Sequence, residues 1–165
     1  MGMSVIISEA TEQDVEQIFR LQYLCFQSEA ALYGNYRIDP LVQSLESVRE
    51  EVAADRVFVA RLGEEVVGSV HGRVTEDGAA AIGKLCVHPR LQGHGIGARL
   101  LRAAETALAE QHGATTFRLS AGHRSENGLR LYRRVGYVAV GTEQGRDGVP
   151  MVILEKAATS YAATA

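Results

Sequence analysis

Hydrophobic residues recur along this chain with two periods, and the places where the period changes mark its elements. Residues 5–8 form a short apolar run that reads as a strand. Thr11 then offers a helix cap with Glu12 and Asp14 behind it, and Val15, Ile18, Phe19, Leu21 and Phe26 follow at helical spacing. The pattern lapses over 32–40, where Tyr33, Gly34, Asn35, Tyr36 and Asp39 predict a loop. An amphipathic helix is expected over 41–53. Three strands follow at 57–62, 66–75 and 79–87, joined by turns at Gly63-Glu64-Glu65 and Glu76-Asp77-Gly78. Pro89 closes the third. The helical period returns over 95–112, with Leu100, Leu101, Ala104 and Leu108 on one face. A strand at 115–120, a helix at 126–135 and strands at 137–143 and 149–155 complete the pattern, the last two joined by Gly145-Arg146-Asp147-Gly148.

That order predicts an α/β domain on a mixed sheet whose first half is largely antiparallel. No repeat or linker divides the 165 residues, so one domain is expected over 1–156. The Ala- and Thr-rich tail at 157–165 is expected to fray.

Composition narrows the class. A net charge of -3 argues against a general nucleic-acid binder, though it leaves room for a local basic patch. Cys25 and Cys86 match no metal-ligand spacing, which predicts a reduced, cytoplasmic protein without a metal. No apolar stretch is long enough to span a bilayer. Residues 1–6 lack the layout of a signal peptide, and Ile6 stands where a myristoylation signal needs Ser or Thr.

The most informative segment is Leu85-Cys86-Val87-His88-Pro89-Arg90-Leu91-Gln92-Gly93-His94-Gly95-Ile96-Gly97. A strand enters a turn of alternating glycines and leaves it as a helix. Exposed amides at such a helix start form a nest for an anion, and a phosphate or pyrophosphate is the natural guest. A nucleotide P-loop would need Gly-Lys-Ser/Thr, and no Lys is present. A dinucleotide fingerprint would need its third glycine one residue later and a βαβ unit around it, whereas a meander precedes this turn.

This segment closely resembles the cofactor motif of the GNAT acetyltransferases, Gln/Arg-x-x-Gly-x-Gly/Ala, met here by Gln92, Gly95 and Gly97, with Leu85, Val87 and Pro89 ahead of it. A second stretch, Ser125 to Tyr137, resembles the family's other hallmark, with Leu131, Tyr132, Gly136 and Tyr137 in register. It departs in its first half: Ser125 stands at the usual Asn position, with Asn127 two residues late, and Gly128 stands at the usual Ala position. The resemblance spans about residues 5–155 and implies the GNAT acyl-coenzyme A N-acyltransferase fold, a twisted, mostly antiparallel sheet with about four helices. It also implies acetyl-coenzyme A as cosubstrate and no metal. Its pyrophosphate would lie on amides of Gly93, His94, Gly95, Ile96, Gly97 and Ala98, with Gln92 beside them. Its pantetheine arm would pair with the backbone of Leu85, Cys86 and Val87, and Ser125 or Asn127 would touch that arm. Cys86 reads as a packed core residue, since direct transfer needs no covalent intermediate. Tyr132 is the family's acid for the departing thiolate. The same resemblance leaves room for a homodimer, the state of many relatives.

A base must free the acceptor amine of its proton. The candidates are His71 and His88, placed first, then Glu29, Asp39, Glu126 and His123. Tyr23, Tyr33, Tyr36, Asp39 and residues 146–150 fall where the family builds its acceptor site, for a small-molecule or peptide amine. Arg99, Arg102, Arg133 and Arg134 read as solvated charge. Two alternatives stay open: a non-catalytic acyl-coenzyme A sensor, or transfer from another acyl-coenzyme A.

Overall fold

The apolar runs between Arg56 and Val87 are joined by turns too short for any crossover, so they must pair as neighbours running in opposite directions. The computed structural model, which describes residues 4–145 and 147–158, shows this meander as β2 (Arg56–Leu62), β3 (Glu65–Val74) and β4 (Ala79–Val87). β1 (Val5–Glu9) pairs antiparallel with β2 on its outer side. β5 (Thr116–Gly122), β6 (Val138–Gln144) and β7 (Pro150–Ala157) complete a seven-stranded sheet in the order β1-β2-β3-β4-β5-β7-β6. Every pairing is antiparallel except β4 with β5. Those two are connected through α5 (Ile96–His112), the crossover that a parallel pair requires.

Each face of the sheet carries its own core. α5 lays Leu100, Leu101, Ala104 and Leu108 against Val67, Val70, Phe117 and Leu154, and α6 (Glu126–Arg134) adds Leu129. α1 (Val15–Cys25) and α4 (Leu45–Ala54) cover the other face with Val15, Ile18, Leu21 and Val48 against Val57, Val59, Val66 and Cys86.

The described residues hold six helices rather than about four, for two local reasons. The expected loop at 32–40 is helical at both ends, as α2 (Gln27–Tyr33) and α3 (Asp39–Val42). The expected helix at 41–53 breaks at Gln43, because the Ser44 side chain accepts the Ser47 amide and restarts the chain as α4. At the other end, β7 runs to Ala157, and the buried Ala158 after it donates its amide to Thr115, so the first residue of the expected tail belongs to the sheet and the second is tied to it. Residues 159–165 lie outside the described residues.

Two details fix α5 on the sheet. Gly68 and Gly72 on β3 leave room for Leu100 and Leu108: a Cβ at Gly68 would stand 2.9 Å from Leu100 Cδ1 and 3.2 Å from the Cys86 carbonyl. The buried Glu105 of α5 is neutralised by Lys156 of β7 at 2.9 Å and accepts the Tyr137 hydroxyl at 2.8 Å. A buried carboxylate without such partners would cost several kcal/mol. Gly68→Ala should therefore strain both the helix and a backbone carbonyl, lowering stability by about 1–3 kcal/mol in urea unfolding while the denaturant slope stays that of the native protein.

Candidate active site

β4 and β5 pair only at Ala79↔Thr116, Ala80↔Phe117 and Ala81↔Arg118. Beyond Ala81 they part. The cause lies in β4, where the register with β3 slips between His71↔Gly83 and Ser69↔Cys86. Lys84 sits inside this bulge with φ +51°, a left-handed conformation that costs a side-chain-bearing residue about 1–3 kcal/mol. The surroundings hold it there. Lys84 Nζ lies 2.5 and 2.6 Å from the two oxygens of Glu51 on α4 and donates to Gln43 at 3.1 Å. Burial pushes the Glu51 carboxyl up, but Lys84 and Gln43 outweigh it and hold the group below its ordinary value. Residues 82, 83, 86 and 87 thus stay paired with β3 on one side, and none of residues 82–87 has a strand partner on the other. At about 3.3 Å per residue, this open edge is about 20 Å long.

The edge ends at the glycine turn. His88 accepts the Arg90 amide through Nδ1, and residues 89–91 form a single 3-10 turn. Gly93 and Gly95 then take φ of +84° and +78°, which only glycine adopts without strain, and Gly95 caps α5. The amides of residues 93–98 have no backbone acceptor among the described residues. They converge at the positive end of a 17-residue helix, a ready anion site. Gly97 serves packing instead: a Cβ there would meet Leu131 Cδ2 at 3.2 Å, so the bare glycine lets α5 and α6 close on each other. Gln92 donates to the Val87 carbonyl at 3.3 Å, and Cys25 donates to the same oxygen at 3.4 Å. Ile96 is buried as an anchor of the helix start, while His94 is exposed. Cys86 is buried against Ser69, its sulfur 3.4 Å from Ser69 Oγ. A hydrogen bond with Cys86, together with burial, pushes the Cys25 thiol far up.

Across the gap, α6 brings Tyr132. Burial, then the Glu29 and Cys86 charges, push its phenol up to about 12. Tyr132 packs edge-on to Tyr137, with ring centroids 6.1 Å apart. Ser125, at the start of α6, is half-buried and donates a hydrogen bond to Glu29 of α2. Asn127 is exposed. Tyr33 of α2 accepts the Arg124 amide at 2.8 Å and lies against His123, with ring centroids 5.6 Å apart. Gly122, the last residue of β5, sits under the side chains of Tyr33 and Glu29.

The other expected residues lie elsewhere or do structural work. His71 Nε2 is 2.8 Å from Asp55, on the α4 side of the sheet, where it lines a small cavity of about 10 Å³ with Ser69, Glu51 and Lys84. His88 caps the turn. Asp39 begins α3 and Glu126 begins α6, both exposed. Tyr23 and Tyr36 are exposed, and Arg99 donates to the Val5 carbonyl. Arg146 lies outside the described residues. Among those residues no group of three possible metal ligands occurs, and no helix is long and apolar enough to cross a membrane.

A sheet split between its parallel strands, with an amide nest at the end of the open strand, defines the acetyltransferase class that the sequence resembles. The family model for the acetyltransferase (GNAT) domain matches residues 28–158, and the chain belongs to that family. Solved structures agree on the fold. The PaiA N-acetyltransferase from Thermoplasma acidophilum, solved in complex with coenzyme A, is 20% identical, with a TM-score of 0.78 over 94% of this chain and 99% of that one. The ribosomal-protein-S18-alanine N-acetyltransferase from Escherichia coli is 16% identical, with a TM-score of 0.73 over 93% and 94%. An aminoglycoside 6'-acetyltransferase type Ii is 22% identical, with a TM-score of 0.73 over 93% and 97%. No curated protein matches the chain.

The anchor of the bulge makes a pH prediction. The native carboxyl of Glu51 is lowered, so its contribution to stability is present above its unfolded value and is lost as pH falls through the native one. Glu51→Gln should cost about 1–2 kcal/mol at pH 7 and flatten the loss of stability below about pH 4.5, both read by urea unfolding.

Proposed function

We propose that this chain is an N-acetyltransferase that carries the acetyl group of acetyl-coenzyme A directly to a primary amine of a small molecule or peptide. One observation carries the reading: the free amides of residues 93–98 open at the end of the strand whose other edge is unpaired. A cosubstrate with a pyrophosphate at one end and an amide-bearing arm suits both features. The nest and helix dipole take the anion. The edge formed by Leu85, Cys86 and Val87 takes the arm as a sheet takes another strand. Ser125 lies beside the gap and is preferred over the exposed Asn127 as the α6 contact. The similar structures include enzymes named for aminoglycoside and ribosomal-protein acceptors, which supports an amine acceptor here without choosing one. The two free thiols, Cys25 and Cys86, suit a reducing cytoplasm.

The chain's groups divide the work. As the amine attacks, charge grows on the thioester oxygen, and an amide at the open edge stabilises it. Tyr132 hydrogen-bonds the departing sulfur and gives it a proton. A phenol near 12 is a weak acid toward a thiol of about 8.5, so the transfer is drawn to completion when the phenolate recovers a proton from the nitrogen of the adduct. Because the phenol is protonated throughout the working range, Tyr132 adds no alkaline limb below about pH 10.

The test is free-thiol release from acetyl-coenzyme A with spermidine, kanamycin, tyramine and an alanine-initiated hexapeptide, with calorimetric binding of coenzyme A alongside. Amine-dependent release with any of the four supports the reading. Binding without release points to a sensor, and no binding removes the reading altogether. Tyr132→Phe should lower kcat by about 10–100-fold while the coenzyme A Kd stays within about twofold. Equal kcat in the two proteins would remove Tyr132 from the chemistry.

A further inference from the structure

One carboxylate at the gap is left over after these assignments. Ala30 is fully buried and packs with Ile38 and Val149, which seats α2 against the start of β7. This places the preceding residue, Glu29, at the end of β5. A Cβ on Gly122 would run into the Tyr33 ring before it stood 2.9 Å from Glu29 Oε1, so the glycine makes room for both side chains. Oε1 accepts the Ser125 hydroxyl. On α6, Ser125 and Tyr132 flank Gly128, whose added Cβ would lie 3.9 Å from Ser125 Cβ and 3.6 Å from Tyr132 Cε2. The Glu29 carboxylate and the Tyr132 ring therefore share one face of α6. Glu29 is half-buried and has no ion-pair partner among the described residues, and its second oxygen accepts no hydrogen bond there.

The groups around it are Tyr33 on its own helix, with His123 and Arg124 beside Tyr33 after β5, Ser125 at the cap of α6 and Tyr132 on α6. Arg124 presents its backbone amide to Tyr33, and His123 Nδ1 lies 3.2 Å from the Pro150 carbonyl; among the ion pairs of the described residues neither side chain is paired with Glu29. The histidines ranked first by sequence are engaged elsewhere, His71 with Asp55 and His88 with the Arg90 amide.

Resting on the acetyltransferase reading above, we propose that Glu29 is the general base, and that the acceptor enters as a cationic primary amine paired with this carboxylate. An alkylammonium has a reference pKa of about 10.4 and is no nucleophile until one proton leaves. Glu29 takes that proton, and the freed lone pair forms the C–N bond to the thioester carbon. The C–S bond breaks, and the sulfur takes a proton from Tyr132. The nitrogen of the adduct returns its surplus proton to the Tyr132 phenolate, and Glu29 passes its own to solvent. The sum is one amide, one thiol and one released proton. The fixed oxygen orients the carboxylate through Ser125, and the free one faces the proton to be taken.

Glu29→Gln keeps an acceptor for the Ser125 hydroxyl but cannot take a proton, and Glu29→Asp keeps the charge one methylene back. Wild type and both variants are assayed for thiol release from pH 5.5 to 10 with the same four amines, and for coenzyme A binding by calorimetry. The expected result is a loss of about 100-fold in kcat/KM at pH 7 for Glu29→Gln. Its residual rate should rise with unit slope toward the amine's own pKa, about 10 for a simple alkylamine and about 8 for the peptide N-terminus, whereas the wild-type rate levels off earlier. Coenzyme A affinity should be unchanged, and Glu29→Asp should recover part of the rate with the wild-type profile shape. A Glu29→Gln protein that keeps the wild-type pH profile overturns the inference alone. So does one whose only defect is weaker coenzyme A binding. A wild type that binds coenzyme A but acetylates none of the four amines overturns the acetyltransferase reading and this role with it.

Discussion

The parallel ladder between β4 and β5 stops after three residue pairs, and the site depends on that interruption. Backbone amides and carbonyls left without partners in a dry interior would cost several kcal/mol in total. The split is stable only as a wet cleft, or with a ligand that supplies the missing ladder. The accounting of backbone hydrogen bonds thus favours an extended, amide-bearing guest before any side chain is considered. Separation costs the sheet little elsewhere, because β5 keeps a seven-residue ladder with β7 and β4 stays bonded to β3.

The two faces of the sheet contribute different things to this gap. α5 and α6 bring the amide nest and the Tyr132 phenol. α4 restrains the bulge through Glu51 and Lys84, and α2 carries Glu29 to the end of β5. The hydrogen bond between Ser125 and Glu29 is where these contributions meet. Gly97 and Gly122 are both close-approach glycines: one lets the helices converge, and the other makes room for the Tyr33 and Glu29 side chains.

Much of this is legible along the chain. β4 begins and ends where its apolar run does, and the turn glycines that look permissive take positive φ. Ser125 and Tyr132, seven residues apart, stand on one face of α6 as two helical turns require. What escapes a linear reading is set by contacts distant in sequence. Nothing local marks Lys84 as the bulge, because its unfavourable conformation is maintained by Glu51, which lies on another element. The break at Gln43 comes from a serine cap that competes with an otherwise continuous helical period. His71 and His88 are attractive by residue type, yet one is paired across to Asp55 and the other closes a turn. Glu29 is one candidate among several until the fold brings it to Ser125, 96 positions along the chain.

On this account residues 93–98 and the open edge of β4 receive the acyl-coenzyme A together. Amide-resolved nuclear magnetic resonance of the labelled protein during a titration with acetyl-coenzyme A tests that most directly. The largest shifts should fall on the amides of Gly93, Gly95, Ile96, Gly97 and Ala98 and on Leu85, Cys86 and Val87, saturating together at one affinity. Shifts confined to residues outside these two segments, or none at all, would contradict it.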